Sequence, residues 1–167
     1  MKFNLRKFEK TDANSVYKYA NNKKIADNLR NVFPCPYSLN DAENFIESIL
    51  SKDETSQYLR TIEINREACG SIGLFIKDDV YVKSAELGYW LAEEYWGKGI
   101  MSEAVNQICR EGFLKYDIIR IFAEPYEYNI GSRRVLEKAG FKLEGIMEKS
   151  VYKNDKIFDS CMYALIK

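Results

Sequence analysis

The run Tyr95-Trp96-Gly97-Lys98-Gly99-Ile100-Met101-Ser102 sets two glycines between a strand-like segment and an amphipathic helix, an arrangement suited to holding phosphate. Glycine admits the tight turn that brings successive N–H groups onto one anion, and a helix N-terminus adds roughly half a positive charge. Trp96, Gly97, Lys98, Gly99, Ile100 and Met101 are therefore expected around a pyrophosphate, with Ser102 in the first helical turn. A P-loop would run from its second glycine into Lys-Ser or Lys-Thr, and a dinucleotide fingerprint would carry a third glycine; neither is present. By itself the turn serves equally well as an ordinary helix entry.

The elements that must position this turn are legible on both sides. Ala85 to Leu91 reads as a strand, and Ile100, Ala104, Ile108 and Leu114, with Val105 and Cys109, mark one helical face. Toward the N-terminus, Phe3 to Phe8 alternates as a strand, Thr11-Asp12 offers caps for a helix through about Ala20, and a second helical piece runs toward Leu29. Two prolines make Asn31 to Tyr37 a loop. Ser38 to Asp41 caps a helix with the stripe Ala42, Phe45, Ile46, Ile49 and Leu50. Gln57 to Ile64 and Cys69 to Ile76 read as an antiparallel hairpin joined by Asn65-Arg66-Glu67-Ala68, and Ile118 to Ala123 as a strand ended by Glu124-Pro125. Asn129 caps a helix that stops at Gly140, and a last hairpin turns at Asn154-Asp155.

Composition narrows the function classes. The 167 residues fit one domain, residues 1–167, and 46% hydrophobic content supplies a core. Lys plus Arg and Asp plus Glu stand at 25 each, so no global field points to nucleic acid or an anionic membrane. No apolar run approaches the roughly 20 residues a bilayer requires, and the start lacks a signal-peptide core, so a cytoplasmic protein is expected. Cys35, Cys69, Cys109 and Cys161 lack the Cys-x-x-Cys spacing and have no histidine to complete a zinc site; they read as reduced structural thiols, and no metal is expected. The absence of histidine also removes Ser-His-Asp and Cys-His machinery. Proton transfer must use carboxylate, tyrosine, serine, amine or water.

The element order β-α-α-β-β-β-α-β-α-β-β fits a mixed sheet flanked by helices. Strand Ala85 to Leu91, the turn Tyr95 to Gly99, and Asn129-x-x-Ser132-x-x-Val135-Leu136-Glu137-Lys138-x-Gly140-Phe141 together resemble the GNAT acyl-CoA N-acetyltransferases, and within them the RimJ/RimL-type, ribosomal-protein-alanine branch. The resemblance runs nearly end to end and is strongest from Ala85 to Gly145. It implies an α/β (α+β) fold: a mixed, mostly antiparallel twisted sheet of about seven strands and about four helices, with a V-shaped splay between the fourth and fifth strands. It further implies acetyl-CoA as cosubstrate, its pantetheine arm pairing with Tyr89, Trp90 and Leu91 as an added strand would and meeting the Asn129 amide. Arg133, Lys98 and Lys138 become neighbours of the nucleotide phosphates. Glu94 stands where the family often has Gln or Arg; a carboxylate cannot donate to phosphate, so it should point away.

The implied reaction is direct attack of an amine on a thioester carbonyl, which requires a base for the ammonium proton. The resemblance makes Glu124 the first choice and the alternation of its strand makes Glu86 the second, on one face with Gly88 and Trp90; a strand-edge salt bridge is the plain alternative for Glu86. Ser132 matches the serine that RimL-like members are thought to use toward the departing thiolate, and could otherwise simply cap its helix. The tyrosine used by other members falls at Leu136, and the glutamate some RimL-like enzymes carry falls at Val151.

The acceptor side should be formed by the loop Asn31 to Tyr37 and the hairpin near Tyr152 to Phe158, with Phe33, Tyr37, Tyr152 and Phe158 able to hold a cationic amine by cation–π contact. Glu127, Glu148, Asp155 and Asp159 would add acidic recognition. A protein N-terminus, polyamine, aminoglycoside or amino acid all satisfy this description, and the enzyme would act as monomer or homodimer. Two other classes stand beside the acetyltransferase: a catalytically silent acyl-CoA-binding regulatory module, and a nucleotide- or RNA-binding domain, which the neutral charge disfavours.

Overall fold

A computed structural model describes residues 2–167. Its strands β1 (Asn4–Arg6), β2 (Gln57–Ile64), β3 (Glu67–Ile76), β4 (Ser84–Leu91), β5 (Arg120–Ala123), β6 (Lys142–Lys153) and β7 (Lys156–Ile166) form one sheet in the order β1-β2-β3-β4-β5-β7-β6. All neighbours are antiparallel except β4 and β5, which run parallel. The helices are α1 (Ala13–Ala20), α2 (Lys23–Ala26), α3 (Leu39–Leu50), α4 (Ile100–Lys115) and α5 (Ile130–Lys138). The strand order along the chain and the mixed sheet agree with the sequence reading, while three helices rather than two stand between β1 and β2 because the short piece after α1 forms a helix of its own. Among the described residues, no helix is long and apolar enough to cross a membrane.

Local chemistry moves several boundaries. The first hairpin turns at Asn65 and Arg66 alone, both at positive φ (51° and 68°), so Glu67 and Ala68, expected in the turn, belong to β3 and pair with Ile64 and Glu63. Two consecutive left-handed residues give a two-residue turn whose twist matches that of the flanking strands. α1 is preceded by a 3₁₀ turn over Lys10–Asp12 rather than starting from the Thr11-Asp12 pair, because Asp12 is turned inward: its carboxylate binds the Arg6 guanidinium at 2.8 Å and accepts from the Glu9 amide. The helical piece drawn toward Leu29 ends at Ala26. α3 opens on the expected cap, with Ser38 Oγ accepting from Asp41 N and Asp41 Oδ2 accepting from Ser38 N.

The core lies between sheet and helices, with Ile62, Ile64, Ile72, Leu74 and Ile121 from the sheet and Val16, Ile46, Ile100, Ile108 and Leu136 from the helices among its fully buried side chains. Leu114, expected on the buried face of α4, is 82% exposed. The last buried residue of that helix is Gly112, where a Cβ would come within 2.2 Å of Leu74 Cδ1 in β3, and the final turn runs past the sheet. All four cysteines are free, Cys69, Cys109 and Cys161 buried and Cys35 exposed; burial pushes the Cys109 thiol up to about 12.

Candidate active site

The site begins where the parallel pair stops. β4 and β5 are paired at Ser84↔Arg120, Ala85↔Ile121 and Glu86↔Phe122, and from Leu87 to Leu91 β4 keeps only its β3 neighbour. β5 ends at Ala123, and the following chain turns toward β7 instead, through the Tyr126↔Ser160 bridge and the Cys161 N to Pro125 O bond of 2.9 Å. The diverging ends form a V whose β4 edge carries the backbone groups of Tyr89 and Leu91, free to pair with an extended chain; those of Trp90, expected there too, face β3, where Trp90 lies opposite Ser71. One of the edge groups is partly used: Trp96 Nε1 donates to Leu91 O at 2.7 Å, fixing the glycine turn to the end of β4.

At the turn, Gly97 and Gly99 both adopt left-handed backbone, φ 72° and 79°. A Cβ built on either meets nothing within 4 Å, so the protein leaves open space above both. Gly99 is the N-cap of α4 without a side-chain cap, and the first bond into the helix is Glu103 N to Gly99 O at 3.2 Å. Among the described residues, the amides of Gly97, Lys98, Gly99, Ile100, Met101 and Ser102 have no acceptor. Unsatisfied donors at the positive end of a four-turn helix, with room above them, fit a pyrophosphate. Lys98 lies over the Tyr95 ring at 5.4 Å. Glu94 lines a separate hollow with Lys18, Tyr19, Asn21, Asn22, Ala92 and Glu93. Arg133 is engaged within the chain, its guanidinium donating to Tyr163 Oη at 3.2 Å and to Glu127 O at 3.1 Å.

α5 brings the second group of residues. Asn129 caps it, Oδ1 accepting from Ser132 N at 3.1 Å, which leaves the Nδ2 amide free to donate to a ligand. Ser132 Oγ lies 2.7 Å from Tyr89 Oη, so a hydroxyl pair joins the inner end of α5 to β4. Burial pushes the Tyr89 phenol above its ordinary range, partly offset by the Ser132 contact, so it remains a proton donor at neutral pH.

The opposite face of β4 carries Glu86, and Glu124 follows the end of β5. Glu86 Oε1 binds the Arg30 guanidinium and Oε2 lies 3.5 Å from Lys77 Nζ, so both oxygens are engaged. Glu124 is 3.9 Å from the same guanidinium, and its side chain is 32% exposed. Arg30 thus bridges the two candidate bases, but Glu86 is the one held in a strand-edge salt bridge. Trp90 shares the Glu86 face and packs on Phe33 at 6.2 Å between ring centroids, with Tyr37 stacked on Phe33 at 4.9 Å. Tyr37 is buried against the core and supports Phe33 from behind. A cleft of about 330 Å³ opens beside Glu124, lined by Arg30, Asn31, Tyr126, Ser150, Val151, Tyr152, Lys153 and Ser160. Tyr152 stands at its rim, 68% exposed, its hydroxyl on Asp155. Phe158 packs on Tyr128 instead, at 4.7 Å. Of the acids expected to recognise a basic acceptor, Asp159 accepts from Lys149 N at 2.8 Å and Glu127 faces Arg133, so neither lines the cleft.

Sequence reasoning missed Arg30, Lys153 and the Tyr89 hydroxyl. Lys153 carried one signal: it lies two residues beyond Val151 on a strand, and so on the same inward face. For Arg30 no local pattern exists.

The Acetyltransferase (GNAT) domain model matches residues 2–142. The chain is 31% identical over 102 residues to the uncharacterized N-acetyltransferase YoaA of Bacillus subtilis (strain 168), covering 61% of this chain and 57% of that one. It is 36% identical over 117 residues to the probable N-acetyltransferase YjcK of the same organism, covering 70% and 65%. The match therefore spans less than two thirds of either relative's length. In three dimensions the chain superposes on RimL, a ribosomal L7/L12 alpha-N-protein acetyltransferase solved in complex with coenzyme A, at a TM-score of 0.87 over 98% of this chain and 93% of that one, with 24% identity. The splayed parallel pair and the open glycine turn agree with that match: the chain belongs to the GNAT acetyltransferase family.

Proposed function

We propose that this chain transfers the acetyl group of acetyl-CoA to a primary amine by direct attack, in the manner of the RimJ/RimL-type branch. The observation that supports it most is the break after Glu86↔Phe122, which places acceptor-free amides at one mouth of the V and the Glu124 carboxylate at the other. Both relatives are named as N-acetyltransferases, which fits.

Bound there, acetyl-CoA supplies an acyl carbonyl already activated as a thioester. The amides of Gly97 to Ser102 hold the pyrophosphate, the β4 edge at Tyr89 and Leu91 aligns the pantetheine arm, and Asn129 Nδ2 donates to it. Lys98, whose ammonium lies over the Tyr95 ring, adds a positive charge to the turn. Glu124 takes the proton that the incoming ammonium must lose. Ser132 Oγ accepts from Tyr89 Oη and turns its own hydrogen toward the sulfur, stabilising negative charge as CoA departs. Phe33, held by Tyr37 and Trp90, and Tyr152 at the rim bound the acceptor's approach.

The engagement of both carboxylates by Arg30 favours one alternative, a catalytically silent acyl-CoA-binding module. Free-thiol release from acetyl-CoA with an amine library, read with mass spectrometry of the products, separates the two. Transfer gives a singly acetylated amine with stoichiometric thiol, whereas a silent module binds acetyl-CoA and releases none.

A further inference from the structure

The cleft beside Glu124 contains a buried cation that proton transfer does not require. Lys153, the last residue of β6, is 6% exposed, and its ammonium donates to Asn31 Oδ1 at 3.0 Å. Among the described residues no carboxylate lies within 4.0 Å of it. Asp27, which feels its charge, is already paired with Lys23 at 2.7 Å and accepts from Asn154 Nδ2 at 3.0 Å. An ammonium has three donors, and burying it against one neutral oxygen leaves it short of partners. The Asn31 amide nitrogen and the Nε and Nη1 groups of Arg30 have no acceptor among the described residues. All three side chains line the same cleft as Glu124.

Resting on the acetyltransferase reading, we infer that the acceptor is an amine that also carries a carboxylate, which Lys153, Asn31 and Arg30 bind while the amine lies against Glu124. The cleft's charges match such a molecule group for group: its ammonium meets Glu124, and its carboxylate meets Lys153. A polyamine would set a second cation against Lys153 and Arg30, and like charges in a desolvated cleft discriminate by repulsion. The carboxylate can belong to a free amino acid or to an acidic side chain next to a peptide N-terminus. The cleft chemistry is shared, and the acceptors distinguish the two.

The test is kcat/KM for matched acceptors with the full chain and acetyl-CoA: L-alanine against L-alaninamide, the amidated tripeptide Ala-Asp-Gly against Ala-Asn-Gly, and spermidine. The expected result is a preference of about 10-fold or more for the acid in at least one pair, carried by acceptor KM, with spermidine the poorest. The pair that shows it identifies the source. Lys153→Met should reduce the preference to near unity without changing acetyl-CoA KM, and Lys153→Arg should retain it. If Lys153→Met does not fold, Asn31→Ala, an exposed change, should weaken the preference in the same direction. Equal use of acid and amide in both pairs, better use of spermidine, or a preference unmoved by the variants would overturn the inference and leave Lys153 as a structural lysine held by Asn31. Acetylation of none of the five amines, with acetyl-CoA still bound by calorimetry, would instead defeat the acetyltransferase reading and the inference with it.

Discussion

At one mouth of the V the groups left without partners are backbone amides on a single short turn, Gly97 to Ser102, while the other is a cleft lined by side chains of Arg30 and Asn31, Glu124, Ser150 to Lys153, and Ser160. The first mouth is built on two left-handed residues and a helix start, a local pattern of the chain. The second depends on the identities of residues brought together from four parts of the chain. A cofactor common to a family suits the first design, and an acceptor particular to one member suits the second.

The largest effect expected from this division is at Glu124. Glu124→Gln should lower turnover by about 10²-fold or more while acetyl-CoA affinity, measured by calorimetry, stays unchanged. A larger loss from Glu86→Gln would move the base to the other strand, despite its salt bridge. Gly97→Val tests the opposite mouth. Its φ of 72° is strained for a β-branched residue, and its side chain would fill the open space where an anion belongs. Acetyl-CoA affinity should fall by about 10²-fold, with acceptor KM little changed at saturating acetyl-CoA. Equal damage to both ligands would show that the mouths are not separately built.

A smaller effect is expected where the two meet. Ser132→Ala and Tyr89→Phe should each lower turnover by about 10-fold, leave both KM values near those of the parent, and together cost little more than either alone, because the hydroxyls act as one donor. Additive losses would separate them. The smallest effect on activity belongs to Glu54, in the scaffold. Its hydrogen bond from Arg60, reinforced by Lys115, holds its carboxyl at about 2 against an ordinary 4.5. A depressed folded-state value stabilises the fold above the ordinary value, and that contribution is lost as pH falls from 4.5 toward 2. Glu54→Gln should leave kcat unchanged and lower Tm at neutral pH, with the gap to the parent closing in that acid window. A gap independent of pH would mean that the pair contributes nothing.

The same division explains what was legible in the sequence. The glycine turn, the strand before it and the helix after it are local patterns, so Trp96 to Ser102 could be located from spacing alone. The splay followed from the family resemblance, and the β4–β5 pairing supplies its physical cause. The acceptor cleft was harder to read because its parts share no local pattern. Arg30 lies in an irregular stretch before a loop, and Lys153 beside a hairpin turn reads as a surface charge until the inward phase of β6 is known. The aromatic loop was visible in composition, but burial of Tyr37 and exposure of Tyr152 depend on tertiary packing. Likewise, the acids expected to recognise a basic amine lie in sequence near the cleft, yet Asp159 and Glu127 are used by the backbone and by Arg133.

The most direct test of the backbone-built mouth is an amide-resolved NMR titration of the full chain with coenzyme A. The account predicts the largest shifts at the N–H groups of Gly97, Lys98, Gly99, Ile100, Met101 and Ser102, with Asn129 Nδ2 following and Ser150, Lys153 and Ser160 unmoved. Shifts centred on Arg30, Lys153 and the cleft beside Glu124, with the glycine turn silent, would contradict it.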